Sequence, residues 1–292
     1  MKLLVTGATG FIGRNLVEHF SAHHQVAAPP RAELDLLDAP AVRAYLERHR
    51  FDAVIHAATG RSNRALSAAP DLLERNCRMF FNLARNPHAF GRMLFLSSGA
   101  VYDRACVPPL ASEDQFDARV PSDEYGFSKY VCARSIRPDG EIYELRLFGV
   151  FGPYEDWRVR FISNACCRAL WDLPVIMRRN VFFDYLDVAD LARILDRFLA
   201  GTFRYRHYNV TTGLPVDLKT LAAEVIAASG KPLEIVVRSA GLANEYSGAN
   251  SRLLAEIPAF EFRGREDSIA RLYQWYASRK SEIDPELLRF DE

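Results

Sequence analysis

The chain has 292 residues and sets 37 Lys+Arg against 37 Asp+Glu, for a formal net charge of +0. An apolar share of 49% and a charged share of 25% are those of an ordinary globular protein, with chain enough for one large or two modest domains. The balance gives no support to nucleic-acid binding or a polybasic membrane surface, although a locally basic groove stays compatible with it. The first residues, "MKLLVTG", read as a strand and lack the regions of a signal peptide, and no stretch approaches 18 uninterrupted apolar residues. A cytoplasmic protein without a transmembrane helix is expected. The five cysteines (Cys77, Cys106, Cys132, Cys166 and Cys167) form no C-x-x-C pair and are expected as reduced thiols. No metal site is read from the sequence.

In chain order, short apolar runs alternate with amphipathic stretches. Residues 2–7, 25–28, 53–58, 92–98 and 142–148 read as strands, and 11–20, 39–50, 71–86 and 125–136 as helices. Continuous apolar strands separated by helices predict an α/β fold, a doubly wound parallel sheet covered on both faces. After "VFGPYEDW" the rhythm changes. Residues 158–171 read as a helix, 174–186 as two short strands around "MRRN", 187–200 as a helix, "HYNV" as a strand and 217–229 as a helix. A mixed tail carrying "LEIVV" completes the chain. The expected division is a dinucleotide-binding domain over 1–152, to which 182–212 returns, and a smaller substrate-binding lobe over 153–292. No Gly/Ser- or Pro-rich linker separates the two.

The first strand runs into "VTGATGFIG", which places Gly7, Gly10 and Gly13 at a strand-to-helix junction. Glycine is needed where a chain turns sharply, approaches a pyrophosphate and packs its helix on a sheet. The helix that follows presents free amides to the phosphates. A plain tight turn is the alternative reading. An acid at the end of the second strand would bond a ribose 2′-hydroxyl, whereas an Arg accommodates a 2′-phosphate. Here "QVAAPPRAE" has no acid before Arg31, and Arg14 can reach the same region, so NADP is favoured over NAD. The alternative reading is that both arginines are solvated surface residues. Asp35 and the "HAAT" run at His56–Thr59 fall where adenine and nicotinamide-ribose contacts would lie, with His56 read as filling a strand end. The expected cofactor-contacting set is Gly7, Gly10, Phe11, Ile12, Gly13, Arg14, Arg31, Asp35, Leu36, Ala57, Ala58 and Thr59, joined by Tyr125 and Lys129.

Two further segments carry chemistry: "SSGAVY" after the fourth strand and "YGFSK" opening a helix. Tyr125 and Lys129 are four apart and share a helical face, and an ammonium beside a phenol favours phenolate. A serine hydroxyl at a strand's carboxyl end can bond a carbonyl under reduction. With "TGATGFIG", "DLLD", "VIHAAT", "LFLSSGAVY", "YGFSK", "LRLFGVFGP", "FDYLDVADLA" and "YNVTTG", nearly the whole chain resembles the extended short-chain dehydrogenase/reductases that act on nucleotide-activated sugars. The resemblance implies Ser98, rather than Ser97, as the catalytic serine, Tyr125 as proton donor, and Lys129 as the ligand of the nicotinamide ribose. It also implies a substrate-binding set of Ser98, Gly99, Tyr125 and Asn164, and a homodimer formed through helices near 71–86 and 122–137.

Departures from the family pattern narrow the expected reaction. Where 4,6-dehydratases carry an Asp-Glu pair, this chain has Gly99 and Ala100. Where the 3,5-epimerase-reductases carry a catalytic Cys it has Ala100, no His lies in 150–175, and Cys106 is read as structural. Direct hydride transfer at one carbon remains, by a ketoreductase or a 4-epimerase. The Arg31 reading points to exchangeable NADPH and net reduction of a 4-keto deoxy sugar nucleotide. A non-catalytic dinucleotide-binding scaffold is the reading from another class. Of the pattern "R-x-x-N-x-x-G-P", Arg146 is present but Gly149 replaces Asn. Phe183 stands where the family usually has a phosphate-binding Arg, and Arg178, Arg179 and Arg252 are the candidates to replace it. Together with Arg14 and Arg31, these are expected to line a basic cleft.

Overall fold

The computed structural model describes residues 1–60 and 71–288. The chain begins β1 (Lys2–Thr6), α1 (Phe11–Phe20), β2 (Gln25–Ala27), α2 (Ala39–His49), β3 (Phe51–His56), α3 (Leu72–Ala84), β4 (Phe90–Ser98), α4 (Glu124–Arg134) and β5 (Ile142–Leu147). It continues β6 (Gly149–Phe151), α5 (Phe161–Leu170), β7 (Val175–Met177), β8 (Phe182–Phe183), β9 (Tyr185–Asp187), α6 (Val188–Ala200) and β10 (His207–Val210). Last come β11 (Val216–Asp217), α7 (Leu218–Ser229), β12 (Ile235–Val237), α8 (Ser251–Glu256) and α9 (Arg265–Ala277).

Six strands form one sheet in the order β10-β5-β4-β3-β1-β2, and every neighbouring pair is parallel. Successive residues of a strand point to opposite faces, and both faces are dry. Leu3, Val5, Ile55 and Leu94 pack with α1 and α6 through Leu16, Phe20 and Leu195. Leu4, Val54 and Met93 pack with α2 and α3 through Val42, Leu46 and Phe80. This is the doubly wound α/β architecture that the alternation predicts. The sheet grows from β1 toward β2 on one side and toward β3 on the other. A crevice therefore opens at the carboxyl ends of β1 and β3, the usual ligand position in such sheets.

A separate core joins α5, α7 and α9 through Ile162, Cys166, Leu221, Val225, Ile269 and Tyr276, beside the two-stranded pairs β11·β8, β12·β7 and β6·β9. The mixed tail of the sequence contains two helices. Buried Ile269, Leu272, Tyr273 and Tyr276 of α9 keep the i, i+3, i+4, i+7 spacing of one helical face. Among the described residues, no helix is long and apolar enough to cross a membrane.

Candidate active site

The glycine turn follows β1 directly. Gly7 has φ +72°, and a Cβ there would sit 2.6 Å from the Ala58 amide nitrogen, so only glycine lets β1 and β3 end this close together. A Cβ on Gly13 would fall 2.1 Å from the Gly7 carbonyl oxygen, which presses α1 against the turn. Gly10 caps α1 without any side-chain hydrogen bond, and no acid occupies the first helical turn. Amides at that end are open to an anion, so Gly10–Gly13 could hold the pyrophosphate of a dinucleotide. Ala57, Ala58 and Thr59 follow β3 along the crevice wall. At its floor, Thr6 Oγ1 and His56 Nδ1 lie 2.8 Å apart. Burial, then the nearby Lys129 charge, pushes the His56 imidazole down to about 3, so it stays neutral.

Beyond β2, the Arg31 guanidinium reaches Asp35 at 3.1 Å. The Leu37 amide holds the Asp35 carboxyl below its ordinary value against the opposing effect of burial, and Arg31 adds to the lowering. Arg14 lies 3.7 Å over the Tyr154 ring and 3.5 Å from Glu18. Phe11 and Ile12 are half-buried in the first turn of α1, and Leu36 joins the core under α2.

β4 ends at Ser98, whose Oγ accepts from the Ala100 amide at 3.2 Å and so starts the 3-10 turn Gly99–Tyr102. Asp123 caps α4 by accepting from the Gly126 amide at 2.9 Å, which sets Tyr125 in the first turn and Lys129 one turn on. A Cβ on Gly126 would meet the Ala100 carbonyl at 2.7 Å, so the glycine brings α4 against the turn that carries Ser98. Lys129 is 3% exposed and donates to the Leu96 carbonyl at 3.0 Å. Its Nζ lies 4.7 Å from the Phe95 ring centre and 5.8 Å from that of Tyr125. Ser98, Tyr125 and Lys129 thus gather at the carboxyl end of β4, beside the glycine turn.

Two residues absent from the sequence reading enter this site. Asn76 of α3 accepts from the Gly60 amide at 2.7 Å and donates to Ser128 Oγ at 3.1 Å, which in turn donates to the Tyr125 carbonyl at 2.8 Å. A polar side chain within an otherwise apolar helical stripe was the available signal. The second is Tyr246, whose hydroxyl lies 3.3 Å from Ser98 Oγ. It is 148 positions away in sequence, and no local pattern marks it.

On the substrate side, Asn164 stands in the first turn of α5 and donates to the Trp157 carbonyl at 3.0 Å. Arg178 and Arg179 are exposed just past β7. Arg252 reaches Asp114 at 2.6 Å and Glu113 at 3.8 Å. Of the five arginines expected to line a basic cleft, Arg14, Arg31 and Arg252 therefore each stand against a carboxylate. Arg146 is buried between Glu144 at 2.9 Å and the Tyr102 hydroxyl at 2.7 Å. Burial raises the Glu144 carboxyl, but Arg146 and then His207 outweigh it and hold it at about 2. At Gly149 a Cβ would meet the Asp184 carbonyl at 2.7 Å and the Tyr185 ring at 2.9 Å, so the β6·β9 pairing takes the space an Asn would fill.

Comparison with known proteins agrees with this architecture. A family profile described as NAD dependent epimerase/dehydratase family matches residues 3–211. The ADP-L-glycero-D-manno-heptose-6-epimerase of Cupriavidus pinatubonensis is 26% identical over 337 aligned positions, covering 96% of this chain and 99% of that protein. The GDP-L-colitose synthase of Yersinia pseudotuberculosis is 29% identical over 152, and there the match spans about half of each protein, 48% of this chain and 49% of the other. In fold, the GDP-mannoheptose C4 reductase from Campylobacter jejuni, solved with NADP bound, superposes with a TM-score of 0.80 at 18% identity, covering 94% of this chain and 98% of that one. The chain belongs to the NAD-dependent epimerase/dehydratase family.

Proposed function

We propose that the protein uses NADPH to reduce a keto group, at C4, of a nucleotide-activated deoxy sugar. The observation that carries the reading is the gathering of Ser98, Tyr125 and buried Lys129 at the end of β4, next to the uncapped start of α1. Bound NADPH would supply the hydride to the carbonyl carbon. Tyr125 gives its proton to the carbonyl oxygen as that oxygen gains charge, and Ser98 holds the same oxygen by a hydrogen bond. The Lys129 ammonium, on the same face of α4 as Tyr125, would hold the nicotinamide ribose. Gly99 and Ala100 put no acid–base pair beside Ser98, so dehydration has no proton acceptor there. Arg31, with no acid preceding it at the end of β2, supports the 2′-phosphate cofactor, its guanidinium turning from Asp35 to the phosphate.

The test is direct. Purified protein with NADPH and a panel of 4-keto-6-deoxy sugar nucleotides should consume NADPH and form one reduced sugar per turnover. Tyr125→Phe should lower kcat by about 10²–10⁴-fold, the range for losing a positioned general acid. No NADPH consumption across the panel overturns the reading. The second reading is an NAD-dependent 4-epimerase of a sugar nucleotide, for which the near full-length match to a heptose 6-epimerase supports only the epimerisation. NAD released by denaturation, with sugar interconversion and no net redox change, would select it.

A further inference from the structure

Tyr246 belongs to neither the glycine turn nor the Tyr125–Lys129 helix, yet its hydroxyl is 3.3 Å from Ser98 Oγ. The segment that carries it is fixed along its length. The Tyr246 amide donates to the Phe182 carbonyl at 2.9 Å, and its carbonyl accepts from the Asp184 amide at 3.3 Å. One and three residues on, the chain bonds to Ala111: the Ala111 amide donates to the Ser247 carbonyl at 3.2 Å, and the Ala249 amide donates to the Ala111 carbonyl at 2.9 Å. The Tyr246 ring is walled by Phe148 at 5.1 Å and Phe183 at 5.8 Å between centroids. The phenol is thus held against the serine by backbone and aromatic contacts, not by a flexible stem.

A serine hydroxyl has one proton to give and two lone pairs to fill. The Ala100 amide fills one lone pair of Ser98 Oγ at 3.2 Å. We infer that Tyr246 is a positioning residue, whose phenol proton fills the other lone pair and so turns the Ser98 proton toward the substrate oxygen. The phenol is the more acidic of the two hydroxyls and the better donor. Burial, the largest influence on it, pushes its titration up, so it keeps that proton through the neutral range. Without Tyr246, the serine proton can rotate to other acceptors, and the hydrogen bond to the carbonyl must be re-formed in each cycle. The inference rests on the proposed role of Ser98 as the carbonyl's donor.

Tyr246→Phe keeps the ring between Phe148 and Phe183 and removes only the donor. It should lower kcat by about three- to ten-fold, the worth of one neutral hydrogen bond, with KM and cofactor affinity nearly unchanged. Ser98→Ala should cost more, and adding Tyr246→Phe to it should cost nothing further. Equal kcat for Tyr246→Phe and wild type, or additive losses in the double variant, would overturn the inference. A second readout needs no turnover. With ¹³C-labelled tyrosine, the Tyr246 Cζ resonance (identified by its loss in Tyr246→Phe) should move in Ser98→Ala while its ring Cδ resonances stay in place. An unmoved Cζ also overturns it. If wild type turns over no substrate of the panel, the proposed reaction fails and the positioning role falls with it, while the Cζ shift still reports the Ser98–Tyr246 bond.

Discussion

Asn76 shows how a single buried amide can hold a site together without touching its chemistry. Its oxygen satisfies the Gly60 amide and its nitrogen reaches Ser128, so the end of the β3 wall and the helix of Tyr125 are tied through one side chain. Asn76→Ala leaves the half-buried Gly60 amide without its acceptor and removes the donor to Ser128 Oγ, which keeps only its own bond to the Tyr125 carbonyl. It should destabilise by about 1–3 kcal/mol in urea denaturation. That Tyr125 and Lys129 share one helical face was legible because four residues is about one turn, whereas Ser98 was singled out over Ser97 by the family resemblance. Asn76 showed only as a polar residue in an apolar helical stripe and Tyr246 not at all, since their partners come from other elements and meet them only after folding. The arginines illustrate the same limit. Sequence marks a guanidinium, but the carboxylate beside it is chosen by tertiary packing, as with Arg252 and Asp114.

At the scale of elements, the strands and helices of the large sheet follow from local pattern, since continuous apolar runs and 3.6-residue periodicity are both short-range signals. β8 falls in the second short run expected after "MRRN", whereas the two-residue β11 carries no period and is set by its pairing with β8, Val216 with Phe183 and Asp217 with Phe182. The junction of α4 with the turn after β4 makes a sharper expectation. Because a Cβ on Gly126 would meet the Ala100 carbonyl at 2.7 Å, Gly126→Ala must move the helix off that turn. The expected cost is about 1–3 kcal/mol in stability, as for other overpacked contacts. Turnover should fall more than cofactor affinity, because Tyr125 shifts against Ser98 while the glycine turn stays put. Fluorescence titration with NADPH beside steady-state kinetics would check the split.

Across the whole molecule, opposing titrations set the pH range of the fold. Burial pushes the Glu155 carboxyl up to about 8, with Ser163 and then Arg160 only partly offsetting it. The unfolded chain releases that proton near the ordinary value of 4.5, so between 4.5 and 8 the native state binds more protons. Stability contributed by this group therefore falls as pH rises through that window and levels off above it. Glu155→Gln should melt near wild type at about pH 5 and above it at about pH 8.5, by about 2–4 °C for each kcal/mol recovered. His56 and Glu144 work in the other direction. Their native values of about 3 and about 2 lie below ordinary ones, so their contributions are lost on acidification, starting below the imidazole's 6.5 and the carboxylate's 4.5. The proposed assembly is a pair of chains joined through α3 and α4, and light scattering on a sizing column should return twice the mass of one chain. A single-chain mass would remove that proposal.

The ring of Phe148 is the point at which these scales meet. A Cβ on Gly99 would come 2.5 Å from it, and a Cβ on Gly248 would come 2.4 Å from it, one glycine following the serine strand and the other following Tyr246. The ring is a bump seated in two holes cut by missing side chains. Neither glycine can change alone, but a smaller residue at 148 would release both at once. That makes the trio a natural dial for an engineer: trimming the bump and refilling one hole would move the wall around the Ser98 hydroxyl while leaving the dinucleotide crevice untouched.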